Sequence, residues 1–185
     1  YTLNRRVIED LPEHHIAYLP VARHGIQWQR TYGTSPFILR KLNENQPEGR
    51  VMAVRFTGPE SYRIQMASDK RRNKRDDDGE YKIGEVYDLH GFNFVLELRD
   101  STKFLNAGQR WHVWFESPDN LVNLYRSRLK VEPVEDYARV FNLTFDAYSP
   151  QQGADYLNAL MEVYILQGKE WKSRAADKTI EFIET

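Results

Sequence analysis

The stretch from Ser149 to Thr185, SPQQGADYLNALMEVYILQGKEWKSRAADKTIEFIET, constrains the fold more than any other part of the chain. Ser149 suits a helix N-cap. Pro150 suits the first helical position, where it has no N–H to leave unpaired, and Gln152 completes an S-x-x-Q capping box. Leu157, Met161, Tyr164, Gly168, Trp171 and Ala175 then recur every three or four residues, with Phe182 and Ile183 continuing the stripe. Only Gly168 interrupts the pattern. At ~1.5 Å per residue the segment is about 50 Å long, more than a compact domain of this size can cover. The first half, with Leu157, Leu160, Met161 and Tyr164, is therefore expected to support the fold, packing beside a strand whose Phe141, Leu143 and Phe145 need covering. Beyond Gly168 the residues are mostly charged or small. That half is expected to project or to continue in a parent protein.

Composition narrows the classes. The 185 residues suit one domain with an insertion and can bury a sizeable core. A net charge of −1 and a mean hydropathy of −0.70 give no global field toward nucleic acid, and none is expected as a partner. No window approaches the ~18 apolar residues of a membrane span. Cysteine is absent, which excludes disulfides, thiolate catalysis and Cys-based zinc sites. The opening YTLNRR has neither an initiator Met nor a signal-peptide pattern, so the chain reads as an excised piece.

Ahead of the long helix the periods change. Leu3, Val7, Ile8 and Leu11 mark a short helix that Pro12 ends. His14 to Val21 looks extended, Trp28 and Tyr32 are bulky anchors, and Phe37 to Leu42 is a strand. Alternation then puts Met52, Val54 and Phe56 on one face, answered by Tyr62, Ile64 and Met66 after the turn TGPES. Phe92, Phe94, Leu96 and Leu98 repeat the pattern, as do Trp111, Val113 and Phe115. These segments predict a small antiparallel sheet or barrel. Ser117-Pro118-Asp119 opens a short helix carrying Leu121, Val122 and Tyr125, and Arg128–Glu132 and Ala138–Phe145 read as strands.

No stretch carries a motif for chemistry. The run Asp69–Asp78 holds five basic residues and four aspartates that nearly cancel, which favours a solvated hairpin tip over an anion site. Its DDDG lacks the spaced oxygen ligands of a calcium loop. His14 and His15 point to opposite faces if extended, and H-E-x-x-H, G-x-S-x-G and the glycine-rich nucleotide cradles are all missing. No pair of carboxylates stands out by its spacing. No catalytic residue, metal or cofactor is therefore expected. Trp111 alternates with core residues and reads as core. Trp114 lies on the opposite face with His112 and Glu116, and either stacks on a sugar or another subunit or packs beneath a loop. Trp171, flanked by Lys169, Glu170 and Lys172, is either packed or an oligomer contact.

An ordered set of residues resembles the periplasmic domain of polysaccharide co-polymerases, the chain-length determinants, and is most similar to capsular and exopolysaccharide export proteins of the Wzc type. The set comprises Tyr32, Ser35, Pro36 and Phe37 in TYGTSPFIL, then Leu157, Asn158, Leu160, Tyr164, Gln167, Lys172, Ser173, Ala176, Phe182 and Ile183. The resemblance implies a periplasmic domain of a bacterial inner-membrane protein, anchored by two helices outside this sequence, whose cytoplasmic end is usually a tyrosine kinase. It implies a non-catalytic homo-oligomer that works with the polymerase and export machinery on polymer length. A carbohydrate-binding module with exposed aromatics such as Trp114 is the alternative.

The expected fold is α+β and a single domain over 1–185. Residues 1–31 and 117–185 would form the base with the long helix from 149, and 32–116 would be a β-rich insert.

Overall fold

The structure, a computed structural model, describes residues 2–21, 29–66, 77–99, 106–135 and 140–183; for residues 77, 78 and 178–183 it describes the backbone alone. Trp28 and most of the charge run from Asp69 lie outside the described residues. Among the described residues, three α-helices and ten strands in three antiparallel sheets make an α+β protein. The chain divides into two compact units, Glu13–Ser117 and the pair of segments Tyr1–Pro12 and Pro118–Thr185.

The Glu13–Ser117 unit is built from alternation. Strands β1 (Ile16–Val21), β3 (Met52–Phe56), β4 (Ser61–Met66), β5 (Asp77–Lys82) and β8 (Arg110–Phe115) form one sheet in the order β1-β8-β3-β4-β5. Strands β2 (Phe37–Lys41), β6 (Val86–Leu89) and β7 (Phe92–Leu98) form a second, in the order β2-β7-β6. One shared core joins the sheets. Met52, Val54, Phe56, Tyr62, Ile64, Val113 and Phe115 meet Phe37, Leu39, Tyr87, Phe92, Phe94 and Leu96. Phe37 stands edge-on to Tyr18, Phe56 and Trp111 at centroid distances of 5.2–5.5 Å, the geometry that ring quadrupoles favour.

Two expectations about this unit change. His14 and His15 sit in a 3-10 turn, Pro12–His15, and both are buried, so the strand starts only at Ile16. β1 pairs with β8 from Ile16↔Phe115 to Val21↔Arg110, which takes the stretch from Glu13 out of the expected base. The expected small antiparallel β architecture is present, as two antiparallel sheets over one core. β5 carries charged and turn residues with a single aromatic, and β6 is only four residues long with Tyr87 alone buried, so neither shows an alternation.

In the other unit, α1 (Thr2–Glu9), α2 (Pro118–Arg128) and α3 (Pro150–Ile183) pack with a ribbon of β9 (Leu129–Pro133) and β10 (Phe141–Phe145). Its core is Val7 and Ile8 from α1, Leu121, Val122 and Tyr125 from α2, and Tyr156, Leu160 and Val163 from α3. Phe145 packs against this cluster, 4.3 Å from the ring of Tyr156. Phe141, on the same strand face, is 57% exposed, so only one end of that face is covered.

The α3 cap forms in a modified way. The Gln152 amide donates to the Ser149 hydroxyl at 3.2 Å, as in a capping box. The return bond shifts by one residue: Gln152 Oε1 accepts from the amide of Tyr148 at 3.0 Å. Its Nε2 is then free to donate to the Tyr125 hydroxyl at 3.1 Å.

Candidate functional site

Two surfaces stand out, one in each unit. The first is the exposed side of α3. The stripe Leu157, Met161, Tyr164, Gly168, Trp171 and Ala175 was expected to be buried in its first half; instead the buried stripe is Gln152, Tyr156, Leu160 and Val163. Leu157 is half-buried, Met161 is 47% exposed, Tyr164 65% and Trp171 76%. Every residue from Gly168 to Asp177 is exposed. Packing against α1 and α2 selects a face rotated from the one that the apolar residues alone indicate. The same helix therefore carries two apolar faces, and the described neighbours cover only one.

The second surface is the outward face of the five-stranded sheet. β3 runs antiparallel between β4 and β8, which places Arg55 opposite Arg63 on one side and opposite Arg110 on the other. One register step along, Ala53 stands between Gln65 and His112. These side chains line an open groove of about 720 Å³. Glu80 closes one end, accepting from the Thr57 hydroxyl at 2.5 Å with Arg63 at 3.7 Å. The hydrogen bonds from Thr57 and Ser61 hold its carboxyl below the ordinary carboxylate value. Burial holds the His112 imidazole below its usual value, favouring the neutral ring.

The sequence-derived candidates do not converge on either surface as a set. Trp114 is half-buried in the β unit, with the Arg30 guanidinium 5.8 Å from its ring centroid and Arg30 itself paired to Glu116 at 2.7 Å. That cation takes up the ring face a sugar would stack on. Trp171 stands in solvent on α3. Among the residues that carried the family resemblance, Phe37 is the centre of the aromatic core. Ser35 donates to the carbonyl of Phe37 at 2.7 Å, Tyr32 bonds His14 at 3.0 Å, and Pro36 lies in the same turn. On α3, Leu160 is buried, Gln167 is half-buried, and Asn158, Lys172, Ser173 and Ala176 are exposed; the side chains of Phe182 and Ile183 are outside the described ones. The arginine row was missed because cross-strand partners are far apart in sequence; equal offsets from paired core positions were the one available signal.

The fold and these surfaces define a class: a two-unit α+β protein with an aromatic-cored β unit and a helical unit whose last helix outruns its own core. No family model matches the chain, and no curated protein matches it. Solved structures similar to it include those of FlgL from Xanthomonas campestris, a flagellar hook-associated protein, in two crystal forms. One covers 82% of this chain and 41% of FlgL at 13% identity and a TM-score of 0.31. The other covers 90% and 48% at 14% identity and a TM-score of 0.30. The chain thus spans less than half of the FlgL chains it matches, and similarity at this level carries no role from FlgL to it.

With no family model and no curated protein matching the chain, the expected place among the Wzc-type polysaccharide co-polymerases is withdrawn, and with it the role in capsule or exopolysaccharide chain length and export. The carbohydrate-binding alternative has no support either. The residues behind the resemblance fall in two separate units, and those whose side chains are described serve ordinary packing or solvent exposure. Such short patterns recur wherever a core strand or an amphipathic helix is needed. The periplasmic location had come with the resemblance alone. Among the described residues no helix is long and apolar enough to cross a membrane.

Proposed function

We propose that this chain is an assembly protein with no chemistry of its own, and that it pairs through α3 with α3 of a second copy. The observation that carries the reading is the uncovered series Met161, Tyr164, Gly168, Trp171 and Ala175. Its alternating three- and four-residue steps are those of a coiled-coil seam. A helix this exposed gains little from propensity alone and is stabilised chiefly by packing.

The sizes along the seam point to an antiparallel pair. Centred between Gly168 and Trp171, two antiparallel copies place each Trp171 against Gly168 of the other and each Tyr164 against Ala175. Large meets small in every one of these layers. A parallel, in-register pair would stack Trp on Trp and leave a gap at Gly on Gly, which close packing disfavours. The position of Gly168 is open to a second copy, because a methyl added there would meet nothing within 4 Å of its own chain. The seam is short, so the association is weak.

Cross-linking tests this directly, since the chain contains no cysteine. Mixing Tyr164→Cys with Ala175→Cys protein should give a disulfide-linked dimer on mild oxidation, while neither variant alone should link efficiently. Linkage of Tyr164→Cys with itself would overturn the antiparallel arrangement. A wild-type chain that stays monomeric in sedimentation at submillimolar concentration would overturn the pairing itself.

A further inference from the structure

We propose that the outward face of the five-stranded sheet binds a multiply charged phosphate-type anion, a phosphate or diphosphate group, through Arg55, Arg63 and Arg110. The register makes these three residues directly opposed neighbours on three adjacent strands. With strands ~4.8 Å apart, the whole row spans only about 10 Å. Like charges directly opposite one another destabilise a sheet. Here the repulsion acts twice on the central residue, Arg55.

The sheet relieves it at Arg63 more than at Arg55 and Arg110. Arg63 has Glu80 at 3.7 Å, but that carboxylate also accepts from Thr57. Arg55 and Arg110 have no hydrogen-bond or ion-pair partner among the described residues, and both are exposed. Among the described side chains that line this open groove, three are guanidiniums and one, Glu80, is a carboxylate. Burial keeps His112 neutral beside them, so its ring can accept or donate a hydrogen bond without adding to the repulsion. Gln65, one step along the same face, adds an amide donor.

The chemistry of the donors selects the ligand. Each guanidinium presents a planar fork matched to two oxygens of one anion. A carboxylate has two oxygens and one charge, and a single arginine satisfies it. A phosphate or diphosphate has enough oxygens and charge to engage two or three forks together. Bound between Arg55 and its neighbours, it turns the repulsive row into a set of charge-assisted hydrogen bonds. A free inorganic anion and the phosphate of an organic ester share this chemistry.

The test is titration calorimetry on the whole chain, at constant ionic strength, with inorganic pyrophosphate, inorganic phosphate, glycerol phosphate and acetate as separate arms. Pyrophosphate should bind more tightly than phosphate, and acetate should not bind measurably. Equal binding of phosphate and glycerol phosphate would mean that an ester is accepted; loss of the ester alone would mean a site for the free anion. Arg55→Gln and Arg110→Gln should each weaken pyrophosphate by about tenfold or more. Arg50→Gln, an exposed residue that bonds the carbonyl of His90, should leave binding unchanged. Without ligand, Arg55→Gln should melt no lower than wild type, because it relieves repulsion, and this also shows that the variant folds. Absence of pyrophosphate binding, or equal binding by wild type and Arg55→Gln, would overturn the proposal. So would tight binding of a single-stranded oligonucleotide with none of pyrophosphate.

Discussion

Gln152 Nε2 donates a 3.1 Å hydrogen bond to the phenolic oxygen of Tyr125, and both residues are almost fully buried. The same glutamine accepts from the Tyr148 amide with its Oε1, and its own N–H is capped by the Ser149 hydroxyl. One side chain thus ties the start of the long helix to the middle of α2. Replacing it with alanine removes both side-chain bonds, at roughly 1–3 kcal/mol for each buried group that finds no substitute. Gln152→Ala should lower the unfolding free energy by about 2–4 kcal/mol in urea titration. A loss below about 0.5 kcal/mol would mean that solvent replaces both bonds.

The two halves of α3 should respond differently to truncation. Leu160 is 5% exposed in the helical core, whereas Trp171 is 76% exposed. Leu160→Ala should cost about 2–5 kcal/mol through lost transfer energy and the residual cavity. Trp171→Ala should change the melting of dilute protein by no more than about 0.5 kcal/mol, as exposed positions usually do. Similar losses in the two variants would contradict the burial pattern of the helix.

Gly168 separates folding from pairing. A glycine inside an exposed helix costs about 0.8–1.0 kcal/mol relative to alanine, and here an added methyl meets no neighbour. Gly168→Ala should therefore raise the stability of the monomer by up to about 1 kcal/mol. The same methyl fills the place assigned to Trp171 of a second copy, so sedimentation should show weaker dimerisation. Stabilisation with unchanged self-association would argue against the seam.

The pH response of the β unit should carry the mark of His112. Burial lowers the folded imidazole below its usual value near 6.5. Between the two values the unfolded chain holds more protons, so stability rises with pH across that window. The contribution is complete above about 6.5 and is lost as pH falls through the lower folded value. His112→Gln should therefore lose less stability than wild type between about pH 7 and pH 5. Parallel losses would show that His112 titrates normally in the folded protein.

Much of the β unit was legible in the residues. Met52, Val54 and Phe56, then Tyr62 and Ile64, then Phe92, Phe94 and Leu96, then Trp111, Val113 and Phe115 alternate as strands do, and all of them are buried. The starts of α2 and α3 were equally plain, because Ser-Pro puts a hydroxyl acceptor and a residue with no amide proton where a helix needs them. β5 and β6 were not legible. Asp77–Lys82 joins its sheet by pairing with β4, and its own side chains carry almost no period. The resemblance to a family went further astray, since apolar spacing on a helix reports amphipathicity more than descent.

By itself the sequence determined the local periods and caps: where the chain is extended, where it turns helical, and which side chains are apolar. These follow from interactions within a few residues. Only the tertiary structure decided which strands meet and which face of α3 is covered. Arg55 met Arg63 and Arg110 because backbone ladders fix register across long separations, and no local rule brings the three together. Tyr156, Leu160 and Val163 went inward and Met161, Tyr164 and Trp171 stayed out because α1, α2 and Phe145 offer one seat to a helix with two apolar faces. Burial goes to the face whose neighbours pack most closely, and that is a property of the assembled core.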